Sequence, residues 1–163
     1  CKGPGAPAGA VLAGPADTIE RATDYRRQLG GAMRQVGSLA AAGIVALTRM
    51  LDRLGEDHNR ARRLAERIAQ AAPELLDPRE VETNLVTLAL RPSGRPAAEW
   101  QHALGKLNVR AAGWGKWQLR LVLHHGIDDA DADQAAEAII AVGKRFASHP
   151  NKDLGDNAIR DKP

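Results

Sequence analysis

The sequence predicts an α/β chain. A small domain of helices packed on one face of a short sheet follows the end of a different, larger domain and a long connecting helix. Three observations carry this reading. Residues 55–148 alternate helix, strand, helix, strands and helix in their apolar periods, the order that suits helices laid on a sheet. Residues 39–47 are apolar on every side, as in a helix buried in a large core or an interface. Residues 1–9 carry three glycines and two prolines, which punctuate a loop. The predicted divisions are 1–54, 55–148 and a disordered tail over 149–163.

Taken in order, Ala10 to Ala13 is a short apolar run that reads as a strand. Gly14-Pro15 opens a helix, because Pro is tolerated in a first turn. Gly30-Gly31 closes it by supplying the positive φ of a cap. Met33 to Leu54 is the longest predicted helix. Ala61, Leu64, Ala65, Ile68, Ala69 and Ala72 are spaced by threes and fours, which makes one apolar helical stripe. Leu85 to Leu90 reads as a strand and Ala97 to Leu107 as a short helix. In a strand over Trp117 to His124, alternation puts Trp117, Leu119, Leu121 and Leu123 on one face and Gln118, Arg120, Val122 and His124 on the other. Asp128 to Asp133 is an acidic helix start, which the helix dipole favours. Ala132, Ala135, Ala136, Ile139, Ile140, Gly143 and Phe146 form its apolar stripe. Beyond Ser148 there is almost no apolar period, the pattern of a disordered segment.

Composition narrows the function. The chain has 163 residues, 44% of them apolar but only 3% aromatic, so its core is aliphatic. The 23 basic and 20 acidic residues leave a net charge of only +3. Arg60, Arg62, Arg63 and Arg67 lie among Glu56, Asp57 and Glu66, which reads as a solvated helix face. A nucleic-acid footprint needs a sustained basic stripe, so no nucleic-acid partner is expected. No apolar run spans a bilayer, and residues 1–14 lack the pattern of a signal peptide. The lone cysteine, Cys1, excludes an internal disulfide and a multi-cysteine metal site. It suits a cytoplasmic location. Spacing of the histidines argues for no metal site. Trp100, Trp114 and Trp117 read as packing groups.

Several segments carry a family resemblance. Cys1-Lys2-Gly3-Pro4-Gly5-Ala6-Pro7-Ala8-Gly9-Ala10 resembles the loop that carries the cofactor lysine in the low-specificity L-threonine aldolases. Gly30-Gly31-Ala32-Met33-Arg34-Gln35-Val36-Gly37 resembles the Gly-Gly-Gly-Met-Arg-Gln signature of the same enzymes, collinear with the lysine loop. Glu56-Asp57-His58, Thr83-Asn84-Leu85-Val86 and Leu119-Arg120-Leu121-Val122-Leu123-His124 resemble further family segments in the family's order. The resemblance covers roughly residues 1–148.

The resemblance implies a fold-type-I, aspartate-aminotransferase-like enzyme that uses pyridoxal 5'-phosphate. It implies aldol cleavage of threonine, allo-threonine or another β-hydroxy-α-amino acid to glycine and an aldehyde. The chain resembles the C-terminal part of such an enzyme, and alone it is expected to be inactive. Lys2 is the implied Schiff-base lysine. It must be neutral to attack an aldehyde, so its surroundings must lower its pKa. Pro4 departs from the family's usual Leu, removing a backbone donor and fixing a dihedral. Arg120 is the implied clamp for the substrate carboxylate, where a planar guanidinium gives two parallel hydrogen bonds. Arg34 resembles an arginine that reaches a neighbouring subunit's cofactor phosphate, and Arg27 stands near that site where the family usually has Lys. The family is homotetrameric, so a homo-oligomer is implied. His124 reads as structural, because four residues of strand hold it about 13 Å from Arg120. Asn84 is open between a cleft and a turn role. Two alternatives also stay open: a related β-eliminating or racemising enzyme with the same cofactor, and a non-catalytic interaction module.

Overall fold

Pro15 fixes the entry to the first helix, α1 (Ala16–Gln28), with Asp17 in its first turn and Arg26 and Arg27 in its last. These charges complement the helix dipole. The helix ends in a Schellman arrangement. Gly30 N–H donates to the Arg27 carbonyl at 3.1 Å and Gly31 N–H to the Arg26 carbonyl at 2.7 Å. Gly30 takes a φ of +74°, which the cap demands and Gly adopts freely. A Cβ on Gly31 would lie 2.9 Å from Arg26 Cγ, so the second glycine is required by space. In this computed structural model, which describes residues 3–149, the chain forms two compact units, Cys1–Asp52 and Arg53–Pro163.

The first unit holds α1 and α2 (Gly37–Arg49). The helix predicted over Met33–Leu54 is shorter at both ends. Gln35 has a φ of +52°, a left-handed conformation that a continuous helix cannot contain. At the other end a new helix starts at Leu54, with Glu56 and Asp57 in its first turn, where the dipole favours acids. Ile44, Val45 and Leu47 are exposed, and of α2 only Ala46 is buried. The strand expected at Ala10–Ala13 is absent. That stretch has no regular structure, and Val11 and Leu12 are exposed. Its apolar run has no neighbouring strand among the described residues to complete a ladder.

The second unit is α/β. Helix α3 (Leu54–Ala71) leads through a 3-10 turn at Pro78–Glu80 to β1 (Leu85–Ala89). Then come α4 (Ala97–Gly105), β2 (Ala112–Gly113), β3 (Gln118–Val122) and α5 (Asp129–Ser148). The sheet order is β1-β3-β2, antiparallel throughout. Residues of alternate parity point to opposite faces. Val86, Leu88, Leu119 and Leu121 are buried against the helices, whereas Leu85, Thr87, Ala89 and Gln118 are exposed.

Helices α3 and α4 contact the sheet, and α5 packs on both. The predicted α3 stripe is the buried one: Ala61, Leu64, Ala65 and Ile68. In α5 the buried set is Ala132, Ala136, Ala138, Ile139, Val142 and Phe146. Ala135, Ile140 and Gly143 of the predicted stripe sit half-buried at its edge. Asp128 caps α5 through a capping box with Asp131, at 2.8 and 3.1 Å. Trp100 is fully buried, meets Phe146 edge-on with ring centroids 5.3 Å apart, and donates its indole N–H to Ser93 Oγ at 3.0 Å.

Candidate functional site

The open face of the sheet carries the site's main cation. Arg120 lies mid-way along β3, the central strand, opposite Thr87 of β1 and Ala112 of β2. Parity places it on the solvent side, and these small neighbours do not cover it. No carboxylate forms an ion pair with Arg120 among the described residues. Its Nε is buried and without a hydrogen-bond partner. The guanidinium carbon instead sits 4.2 Å from the ring centroid of Trp114.

Trp114 corrects the expectation of a packing group. It is 57% exposed and sits in the tight connection between β2 and β3, where its N–H donates to the Gln118 carbonyl at 2.9 Å. Gly115 turns the chain with a φ of +71°. Lys116 and Trp117 carbonyls accept from Ala97 and Leu90 at 2.8 and 2.9 Å, which pins the loop to α4 and to the end of β1. Gln101 of α4 donates to the Ala111 carbonyl at 3.0 Å. A Cβ on Gly113 would stand 3.1 Å from that Gln101 side chain.

The other predicted residues belong to the first unit. Arg34 is exposed and has no ion-pair or hydrogen-bond partner among the described residues. It immediately precedes the left-handed Gln35. Arg27 is exposed and makes a 3.5 Å pair with Asp24, one helical turn back. Lys2 lies outside the described residues, as does the tail beyond His149. Within the lysine loop, Gly5 and Gly9 take φ of +80° and +105°, which side-chain-bearing residues rarely adopt.

Two residues of the resembling segments hold structure. Asn84 donates its amide to the Leu123 carbonyl at 2.6 Å, while the Leu123 N–H donates to the Asn84 carbonyl at 2.9 Å, so it ties the open end of β1 to β3. His124 Nδ1 accepts the Gly126 N–H at 3.1 Å, which leaves the neutral ring its proton on Nε2.

The sequence reading missed a buried charge. Asp57 is fully buried, and Arg53 donates to its two oxygens at 3.1 and 2.9 Å, with Arg60 at 3.4 Å. The rest of that face is solvated as expected, with Glu56, Arg62, Arg63 and Glu66 exposed, and it carries a cross-helix ladder. Arg60 and Arg63 both reach Asp129 at 2.6 Å, and Arg67 reaches Asp133 at 2.6 Å and Glu137 at 3.0 Å. The hydrogen bond from Arg60 holds the Asp129 carboxyl below its ordinary range. Reciprocal spacing of Arg60, Arg63 and Arg67 with Asp129, Asp133 and Glu137 was the available signal. A cleft of about 390 Å³ runs along this ladder, and one of about 410 Å³ lies between β3 and α5. Arg120 lines neither. Among the described residues no His, Cys, Asp and Glu group could hold a metal ion, and no helix is long and apolar enough to cross a membrane.

Comparison with known proteins gives these residues a setting. Residues 1–91 match the family model described as beta-eliminating lyase. The chain is 37% identical over 131 residues to low-specificity L-threonine aldolase 1 of Arabidopsis thaliana, covering 80% of this chain and 37% of that protein. It is 47% identical over 75 residues to the low specificity L-threonine aldolase of Escherichia coli K12, covering 46% and 22% respectively. With the low-specificity L-threonine aldolase of Candida albicans it shares 30% identity over 154 residues, 94% of this chain and 39% of the relative. The chain therefore spans well under half the length of these relatives.

Proposed function

Because the chain belongs to the beta-eliminating lyase family and is threonine-aldolase-like along most of its length, we propose that it is the C-terminal part of a fold-type-I, pyridoxal-phosphate-dependent L-threonine aldolase. The complete protein cleaves a β-hydroxy-α-amino acid, threonine or allo-threonine, into glycine and an aldehyde. Arg120 is the observation that carries the reading. It is a guanidinium on an open sheet face, without an ion-pair partner among the described residues, and its terminal nitrogens form a donor pair suited to an incoming carboxylate.

The residues present fit the cofactor by their chemistry. Arg34, exposed and unpartnered among the described residues, offers a full positive charge to a phosphate, and a guanidinium matches phosphate geometry with paired donors. Arg27 adds a second cation, but its pair with Asp24 must loosen to release it. Lys2 supplies the amine that links to the cofactor aldehyde. When bound, pyridoxal phosphate accepts the electron pair released as the substrate Cα–Cβ bond breaks.

Arg120 has the orienting role. Two parallel hydrogen bonds to the α-carboxylate fix the plane of the amino acid and so choose which bond at Cα is presented for cleavage. Reaction requires a proton to leave the β-hydroxyl as that bond breaks, and a proton to return to Cα to give glycine. The homotetrameric assembly of the family supplies a reason for Arg34 to be solvent-facing here, since its phosphate lies on a neighbouring subunit.

The test is retro-aldol turnover by the complete polypeptide that carries this segment. Aldehyde and glycine should form in equal amounts from L-threonine or L-allo-threonine, and Lys2→Ala should abolish both. Ammonia and a keto acid without aldehyde, or racemisation alone, would replace this reading with the related β-eliminating or racemising enzyme.

A further inference from the structure

We propose that Trp114 is a positioning residue for the Arg120 carboxylate clamp, a role that rests on the function proposed above and that the indole performs by holding the guanidinium group in place. Four observations lead there. The Arg120 guanidinium carbon is 4.2 Å from the Trp114 ring centroid, within the distance at which a cation is attracted to an aromatic face. Arg120 has no acidic partner among the described residues, so the usual means of fixing a long cationic side chain is absent. Its Nε is buried and unpartnered, while the terminal nitrogens are not buried in this way. A carboxylate therefore engages the Nη1/Nη2 edge. Finally, the loop bearing Trp114 is itself held by the Gln118, Lys116 and Trp117 carbonyls and by Gln101.

The physical consequence is preorganisation. A free Arg side chain forfeits much of its rotamer entropy when it grips a small ligand, and a side chain already held against a ring forfeits less. The contact holds the guanidinium carbon 4.2 Å from the ring centroid, and neither terminal nitrogen is spent on an ion pair among the described residues. Thr87 and Ala112, the cross-strand neighbours, are too small to brace the guanidinium in place of the indole.

Trp114→Ala and Trp114→Phe test this in two readouts. In nitrogen-15 spectra of the chain, the Arg120 side-chain resonances should show a ring-current displacement in the wild type and in Trp114→Phe, lost in Trp114→Ala. In the complete holoenzyme, Trp114→Ala should raise KM for L-threonine about 5- to 30-fold with a much smaller change in kcat, the pattern of lost uniform binding. Trp114→Phe should recover most of that loss. Equal melting curves for the three proteins are expected, since Trp114 is largely exposed. No ring-current displacement in the wild type, or an unchanged KM in Trp114→Ala, would overturn the inference while leaving the aldolase reading intact. Absence of aldehyde release from the wild-type holoenzyme would instead remove the aldolase reading. In that case the positioning role falls with it, whatever the spectra show of the Arg120–Trp114 contact.

Discussion

Replacing Arg53 with Met should destabilise the second unit more than any surface charge change in the chain. Arg53 places two nitrogens 3.1 and 2.9 Å from the two oxygens of Asp57, whose side chain is 0% exposed. Removing one partner of a buried pair leaves an uncompensated charge, which costs about 3–5 kcal/mol in typical cases. Two features of this site reduce the figure. Arg60 stays at 3.4 Å from Asp57, although it also serves Asp129, and the Arg53 side chain is itself 20% exposed, so water can enter its place. We therefore expect a loss of about 2–4 kcal/mol, or roughly 10–20 °C in melting temperature for a unit of this size. Asp57→Asn should cost less, about 1–2 kcal/mol, because a neutral amide still accepts from Arg53 and no buried charge is stranded. The double variant Arg53→Met, Asp57→Leu should recover much of the Arg53→Met loss. Urea unfolding followed by the fluorescence of buried Trp100 reads all three. A loss below about 1 kcal/mol for Arg53→Met, or a larger loss for Asp57→Asn than for Arg53→Met, would refute the reasoning from a buried, charge-dependent pair.

Other outcomes follow from single contacts. Hydrogen bonds from the Arg79 side chain and backbone N–H hold the Asp77 carboxyl down to about 2. Its folded pKa is depressed, so its contribution to stability is present above the ordinary carboxylate range and is lost as pH falls from that range through about 2. Carbon-13 titration should show a midpoint for Asp77 that moves upward in Arg79→Ala. Gly31→Ala forces a Cβ to within 2.9 Å of Arg26 Cγ and 3.1 Å of its carbonyl. Loss of helix content at the end of α1, seen as faster amide exchange at Gly30 and at position 31, is expected. Arg120→Lys keeps the charge but not the paired donors, so substrate affinity in the complete enzyme should fall about 10-fold or more. A KM unchanged by that substitution would remove Arg120 from the carboxylate site.

Periodicity made the second unit legible. The stripe of α3, both faces of β3 and the acidic start of α5 were all readable, because burial on one side imposes a repeat of 3.6 or 2 residues. Errors arose where no repeat operates. Apolar residues continue through Val36 and Leu51 and extend the predicted helix over Met33–Leu54, while the break depends on one backbone angle at Gln35. Apolar composition at Ala10–Ala13 suggested a strand, but a strand is a paired structure and its partner cannot be read from four residues. Its spacing on α3 reads Asp57 as a solvated acid, whereas its burial depends on how α3 sits against the rest of its unit, which a single-helix pattern does not record. The site divides similarly. The face of β3 that bears Arg120 followed from alternation alone. Its contact with Trp114 depends on the tight β2–β3 turn, which brings together residues six apart in sequence.

Under the proposed function, the complete protein breaks a Cα–Cβ bond next to a carboxylate held by Arg120. The most direct test is the product ratio from L-threonine or L-allo-threonine in the presence of pyridoxal phosphate. Acetaldehyde and glycine should appear at one to one, abolished by Lys2→Ala and slowed at low substrate by Arg120→Lys. Turnover that yields ammonia with no aldehyde, or aldehyde release that survives Lys2→Ala, would contradict it.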